Sequence, residues 1–327
     1  MSKVENKNTR FEQIRTPNHV LELMSFLSST YQLNIFLLLI EHLKEFGNQE
    51  YANYQSGQKA LFAREVLTIK ISLSEISKPS EYRDVKKAFM EMSKIHCEIK
   101  FKELGENKIW CGSLFTVSIP MQPNYSSIVK INIDVVVARL FINFNRNEKR
   151  EPIFFSKINT DIRLATKFKN SIKLYLYLCL WRNVHHFKKN IEDVCHSLGL
   201  PKAYYTPYNF KKHVLEISYP ILKSFGDVWY EMDDIKISKN KKNENILDCK
   251  IYTKEKVEME EQKKNYIINM LKLHFNFKEK DILDISDIIK STSIKALSNK
   301  ILYISENING VNNKAEYVKK ALINAFK

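Results

Sequence analysis

Between Leu198 and Ile221 the chain reads LGLPKAYYTPYNFKKHVLEISYPI, and here the side chains of nucleic-acid chemistry are densest. Asn209 can offer a donor and an acceptor together, which matches the adenine edge in the major groove, and lysine reaches guanine acceptors or phosphate oxygens. Lys202, Lys211 and Lys212 supply the cations, while Tyr204, Tyr205 and Tyr208 supply rings for sugars or thymine methyls. Thr206 followed by Pro207 reads as a helix start. Threonine accepts a backbone N–H as N-cap, and proline at the first helical position forgoes a hydrogen bond that had no partner anyway. At about 100° per residue, Phe210, Val214, Ile217 and Ile221 share one apolar face, with Tyr208 and Lys212 opposite and Asn209 and Lys211 beside them. Pro220 is expected to end or kink the helix. The plain alternative is an amphipathic helix with a solvated basic face. Position favours DNA: a short helix precedes it and a hairpin tipped by Lys239, Lys241 and Lys242 follows. Lysine tips also keep edge strands soluble.

Covalent and metal chemistry find less support. A nicking enzyme needs a His-hydrophobe-His triplet for its metal and a tyrosine nucleophile beside it. His185 and His186 are adjacent, so both cannot point one way, and Tyr204 and Tyr205 lack a carboxylate-histidine cluster nearby. Cys179, His185, Cys195 and His196 would suffice by number for zinc, but their spacing fits no known module. The acid pairs Asp233-Asp234 and Glu260-Glu261 read as exposed charge. No GxxxxGK[ST] or GxGxxG occurs, which argues against an ATP- or dinucleotide-binding core. The expectation is no catalytic residue, no cofactor and no metal.

Two segments carry one pattern of elements that would position such groups. The first opens with a helix over about Tyr31–Phe46, apolar at Leu33, Phe36, Leu37, Ile40 and Leu43. A β-like stretch follows at Val66–Ile71, then a helical turn at Ser72–Ser77. A helix over Glu81–Lys94 comes next, with Tyr82, Val85, Phe89 and Met92 buried and Ser80 as N-cap. Two β runs, His96–Phe101 and Ile109–Ile119, join through a turn at Glu103–Asn107, and a strand Ser127–Ile133 ends the segment. The second runs through a helix at Phe168–Asn183, a short helix at Asn190–Leu198 closed by Gly199, the Thr206 helix, and β runs at Val228–Ser238 and Ile246–Thr253. Helix, helix, helix, hairpin is the winged-helix order, met twice. Beyond Thr253 the chain turns Lys/Glu-rich and helical, with pieces at Glu255–Phe275, Lys278–Lys290, Ile294–Ser305 and Asn313–Phe326.

Composition agrees with a polyanion partner. The chain of 327 residues carries a net charge of +15, and residues 146–213 alone hold 14 Lys+Arg against 5 Asp+Glu. In the first segment the corresponding helix exposes Arg83 and Lys87 beside Asp84 and Glu91, a mixed charge suited to a weaker phosphate contact or a protein interface. Arg146, Lys149 and Arg150 fall in the connector and are expected on phosphate, holding both segments to one face of the DNA. Five scattered cysteines (Cys97, Cys111, Cys179, Cys195, Cys249) lie in apolar runs, as buried thiols of a reducing compartment do. Met1–Pro17 has no apolar stretch of a signal peptide, and no run is long enough for a membrane span. A cytoplasmic protein without membrane contact is expected.

The stretch Ser171-Ile172-Lys173-Leu174-Tyr175-Leu176-Tyr177-Leu178-Cys179-Leu180 resembles the helix that opens the second winged helix of theta-type, iteron-binding plasmid replication initiators, the family typified by the F plasmid initiator. Leu200-Pro201-Lys202-Ala203-Tyr204 with Phe210-Lys211-Lys212-His213 is similar to that family's "PK-S-Y … F-R-R-R" recognition segment. His213 stands where a third basic residue is usual, and Tyr205-Thr206 where polar or basic residues are common. The likeness is clearest over 165–225, extends in pattern back to residue 20 and fades past Thr253. It implies Lys202, Tyr204, Lys211 and Lys212 as DNA-contacting or positioning residues. It further implies binding to direct repeats of duplex origin DNA, opening of adjacent AT-rich duplex, recruitment of host helicase and primase, and a homodimeric autorepressor form joined through the first unit. A winged-helix transcription regulator is the main alternative, and an adaptor using winged helices for protein contacts a third.

These readings predict an α+β chain with an N-terminal winged-helix domain over 1–145, a C-terminal one over 146–253 that dominates recognition, and a helical extension over 254–327.

Overall fold

Ile14–Pro17, buried except at Arg15, forms a strand, β1, whose partner lies far along the chain. It pairs antiparallel with β9 (Phe155–Ile158), Ile14 opposite Ile158. After the short helix α1 (Asn18–Glu22) comes α2 (Thr30–Gln55). Leu33, Phe36, Leu37, Ile40 and Leu43 are all buried as expected, and so are Ile35, Leu38 and Leu39. Over Ile35–Ile40 the helix is apolar on every side, as a stretch that crosses a core is. The computed structural model describes residues 13–55, 66–103, 106–122, 127–142, 145–146, 152–153, 155–308, 311 and 313–326.

Around α2 the first repeat assembles. Strand β2 (Val66–Ser72) leads into α3 (Leu73–Ile76), started by a capping box of Ser72 and Glu75. Helix α4 (Tyr82–Met92) buries Tyr82, Val85, Phe89 and Met92. Its start differs from expectation. A 3₁₀ turn over Pro79–Glu81 precedes it, so Glu81, not Ser80, occupies the N-cap and no side chain caps the helix. Strands β3 (His96–Glu103) and β4 (Glu106–Ser113) form a separate hairpin; the tip Leu104-Gly105 lies outside the described residues. The single β run expected over Ile109–Ile119 breaks, because Leu114 and Phe115 turn into the core. The chain resumes as β5 (Thr116–Ser118), pairing with β6 (Ile128–Asp134), which also pairs with β2. The sheet order is β2-β6-β5.

A helix the periodicity missed, α5 (Val135–Ile142), follows, and Phe141 packs edge-on against Phe36 at 6.1 Å. Strands β7 (Asn145–Arg146) and β8 (Pro152–Ile153) form a short ribbon, and α6 (Ile162–Ala165) follows β9.

In the second repeat α7 (Lys169–Leu180) buries every residue from Ser171 to Cys179. Phe168, expected inside, stands ahead of the helix as its N-cap and is exposed. Strand β10 (His186–Asn190) separates α7 from α8 (Ile191–Ser197); its charged sequence hid it from a reading that looked for apolar alternation. Then come α9 (Pro207–Phe210), a π-helical turn over Lys211–Leu215, and α10 (Glu216–Phe225). Strand β11 (Val228–Trp229) precedes the hairpin of β12 (Lys236–Lys239) and β13 (Asn245–Lys250), and β14 (Tyr252–Thr253) follows. The sheet order is β10-β13-β12. Leaving aside the β3–β4 hairpin and the β11–β14 pair, each repeat runs helix, strand, helix, helix, strand, strand, and in each three-stranded sheet the last strand lies between the other two.

By its contacts the chain divides into two compact units, Met1–Tyr252 and Thr253–Lys327. The expected 145/146 boundary lies within the first: both repeats share one apolar core, and the β1–β9 pairing runs across that point. The expected 253/254 boundary lies one residue from the observed division. The second unit packs α11 (Lys254–Phe275), α12 (Glu279–Asp284), α13 (Ser286–Ser291), α14 (Ile294–Glu306) and α15 (Lys314–Phe326) around Ile267, Leu271, Leu297, Ile301 and Leu322. Among the described residues no helix is long and apolar enough to cross a membrane.

Candidate nucleic-acid interface

The segment that leads into α9 is held from several sides. Asn190 caps α8, accepting from the Glu192 N–H at 3.0 Å. At the other end Leu200 N–H reaches the Cys195 carbonyl and Gly199 N–H the His196 carbonyl, the two bonds of a Schellman motif. Gly199 sits at φ +58°, and a Cβ there would lie 2.0 Å from the Ser25 carbonyl oxygen, so only glycine fits. The Leu198 carbonyl, another orphan of the helix end, accepts from Lys173 Nζ at 2.7 Å. Lys173 is 2% exposed, and burial lowers its pKa from 10.5 to about 8. It packs beneath the α8 end.

The turn onward is equally tied. Cys195 Sγ donates to the Tyr204 carbonyl at 3.4 Å, and burial pushes that thiol up to about 12, holding it protonated. Tyr205 reaches His196, its oxygen 3.2 Å from Nε2. Thr206 caps α9 through the Asn209 N–H at 3.3 Å, with Pro207 at the first helical position, as the sequence predicted. The Asn209 side chain donates to the Ala203 carbonyl at 2.7 Å. One of the groups expected to read adenine is thus spent inside the turn, and Asn209 acts here as a brace.

What remains outward is Lys202, Thr206, Tyr208, Lys211, Lys212 and His213, with Tyr204 and Tyr205 half-buried. Tyr208 is 67% exposed, and Lys212 lies 5.4 Å from its ring centroid with Nζ 3.1 Å from its hydroxyl. Among the described residues no carboxylate lies within ion-pair distance of Lys202, Lys211 or Lys212.

The buried face of this helix departs from its sequence reading, for a local reason. Phe210 and Val214 are buried, but Ile217 is exposed and Ile221 only partly covered, while Ser218 and Leu222 face the core. The π turn over Lys211–Leu215, closed by the Glu216 N–H to the Lys211 carbonyl, inserts one residue and moves the buried stripe one position on. Pro220, expected to end or kink the helix, lies inside α10, which continues to Phe225 and stops at Gly226 (φ +69°).

Past the end of α10 lies a buried ion pair. Arg182 and Asp227, 3% and 5% exposed, meet at 3.1 Å. Asp227 also accepts from the Tyr175 hydroxyl and from Gln13 Nε2 at 2.7 Å, so α7, the end of α10 and the residue before β1 converge on one carboxylate. Neither Arg182 nor Asp227 stood out in the sequence, since single charges carry no pattern.

The hairpin tip is ordered by Asn240, whose side-chain oxygen accepts from the N–H groups of Lys242 and Glu244 at 2.9 and 3.0 Å. Asn243 takes φ +63° and accepts from Lys239 Nζ at 2.8 Å. Lys239, Lys241 and Lys242 are exposed, and among the described residues none has an ion-pair partner. In the first repeat Arg83 and Lys87 are exposed too, but Lys87 lies 3.9 Å from Glu91, which also accepts from Gln32. Lys149 and Arg150 lie outside the described residues, and Arg146 is described only as backbone, in β7. Lys188 and Lys189 on β10, missed with their strand, add exposed cations; Lys189 covers the Trp181 ring at 5.4 Å. Of the cysteines, Cys179, Cys195 and Cys249 are buried as expected, whereas Cys111 is exposed.

No protein-family model matches this chain, and no curated protein matches it.

Proposed function

We propose that the two repeats are winged helices, that the chain binds duplex DNA through them, and that it initiates plasmid replication at repeated origin sites. The observation that carries the reading is the outward surface of α9 and the π turn. Tyr208, Lys211 and Lys212 stand free of carboxylates on the helix after a tightly closed turn, and a lysine-tipped hairpin belongs to the same repeat. That helix enters the major groove, with the lysines on phosphate or guanine and Tyr208 against sugar or thymine methyl. The strand order, last between the other two, supports a wing beside the reading helix. The resemblance of 165–225 to iteron-binding initiators narrows DNA binding to replication. Under this reading a second copy pairs through the first repeat for autorepression, and host helicase and primase join at the opened origin.

Footprinting on the DNA flanking the chain's own gene tests it. Protection of several direct repeats, spaced by about two helical turns so that successive copies lie on one face, is expected. Protection of a single inverted repeat would replace the initiator with a transcription regulator, and no protection above the background of random DNA would remove both.

A further inference from the structure

A cleft of about 710 Å³ lies in the first unit, away from the α9 surface, between the start of α2, the α3–α4 turn and the segment from α6 to α7. Its volume is that of a small-molecule site. Three independent features of its wall point to one ligand chemistry.

First, two helices begin at it. Ser29, Thr30 and Tyr31 of the α2 start and Lys169 of the α7 start line the cleft, and α7 has no side-chain cap. The first N–H groups of a helix have no partner within it, and the helix dipole adds positive potential there; at α2 the Ser29 hydroxyl takes the Gln32 N–H at 3.2 Å, while the α7 start is uncapped, so the two ends together favour an anion. Second, the lining cations outnumber the acids. Lys78, Arg163, Lys167 and Lys169 face Glu75 and Glu81, with Arg163 itself held by Glu41 at 3.9 Å and by the Glu75 carbonyl at 2.9 Å. Glu75 is engaged at the Ser72 N–H and Glu81 is held by Ser77 and by Lys167 at 3.2 Å. Among the described residues Lys78 has no carboxylate partner, and Lys169 Nζ meets only the Ser28 carbonyl at 3.0 Å. Third, Asn34 lines the cleft, is 9% exposed, and its Oδ1 meets no donor. An unmade bond at a buried carboxamide marks a place for a donor from outside.

We propose that this cleft binds a small phosphorylated molecule, its phosphate at the two helix starts with Lys78 and Lys169, and a hydroxyl or amino group of its organic part donating to Asn34. The lining of Ile76, Pro79 and Leu164 suits that organic part. A phosphodiester of duplex DNA does not fit the same description, because the stiff double helix cannot insert a donor down to a side chain as covered as Asn34. The site stands independently of the DNA-binding reading.

Calorimetry of the full chain with inorganic phosphate, adenosine 5′-monophosphate and adenosine tests it, in chloride buffers of matched ionic strength. Phosphate should bind, the monophosphate at least about tenfold more tightly, since one added hydrogen bond and apolar contact amount to a kilocalorie or so, and adenosine should bind least. The K78M/K169M double variant should weaken both anions by at least about tenfold. N34L, similar in volume, should remove the hydrogen-bond share of the monophosphate's advantage, weakening it by about three- to tenfold, while phosphate itself is unchanged. Circular dichroism of each variant separates lost binding from lost fold. Absence of phosphate binding, or binding that the double variant leaves intact, would overturn the site. Displacement of phosphate by a random duplex oligonucleotide would instead assign these cations to a DNA backbone.

Discussion

The two repeats share an order of elements and a strand arrangement but differ where it matters for a surface. In the first, α4 is regular, its apolar stripe matches its sequence, and Lys87 is answered by Glu91. In the second, the corresponding helix contains a π turn, its stripe is displaced by one residue, and Lys211 and Lys212 meet no acid among the described residues. The same repeat holds a buried lysine at the end of α8 and a buried ion pair past the end of α10. Buried charges and an extra backbone residue both cost stability, and such departures from local rules gather at functional surfaces. Under the proposed function, the contrast makes the second repeat the reading head and the first its support.

Breaking the ion pair should have the largest effect. D227N leaves the Arg182 guanidinium buried without its counter-charge and should lower unfolding free energy by about 3–5 kcal/mol, measured by urea denaturation. Removing charged groups exposed on α4, as in R83A, should change it by less than about 0.5 kcal/mol. Close behind comes G199A, with a positive φ and a Cβ against the Ser25 carbonyl, expected to cost about 3 kcal/mol. G226A supplies its control: φ is also positive, but the nearest atom lies 3.8 Å away, so about 1 kcal/mol is expected. Equal losses in the two would show that backbone strain alone, and not the fit against Ser25, makes Gly199 necessary.

Lys173 sharpens the comparison through pH. Its pKa falls on folding from 10.5 to about 8, a penalty on the charged form of about 3 kcal/mol. Below pH 8 both folded and unfolded chains carry the proton and the penalty is complete. Between about 8 and 10.5 the unfolded chain binds more protons, so this group's contribution to stability rises with pH. K173M should therefore stabilise by about 1–3 kcal/mol at pH 7, net of the hydrogen bond lost at Leu198, and the gain should shrink towards pH 10. A gain that is flat with pH would mean that the Lys173 pKa does not fall on folding. The smallest effect is expected at the surface. K212A should weaken DNA binding by about three- to tenfold and reduce the slope of log K against log salt by about 0.9, whereas K87A should leave both within about twofold. Equal effects from the two would put both repeats on the DNA alike.

Regular parts of this chain were readable before folding. The Thr206-Pro207 start, the Gly199 stop and the stripe Tyr82–Met92 follow from local chemistry that a few neighbouring residues contain. The π turn was not readable, because one inserted residue leaves no mark in composition; it becomes visible only when Leu222 rather than Ile221 turns inward. Strand β10 was missed because HFKKN offers a single apolar residue, Phe187, and its strand character comes from pairing with β13. Surface lysines of the candidate interface were found by type and position, but the brace made by Asn209 depends on the carbonyl of Ala203, six residues back, whose approach only the folded turn creates.

The pairing of β1 with β9 has a consequence for synthesis. Ile14 is made before its partner Ile158, which follows it by some 140 residues. At about 5–20 residues per second that delay lasts on the order of ten seconds. For that time the backbone N–H and C=O groups of the strand face water or compete for another edge, and the carboxylate that will hold Gln13 does not yet exist. Slowing elongation between residues 20 and 155 should lengthen this open interval.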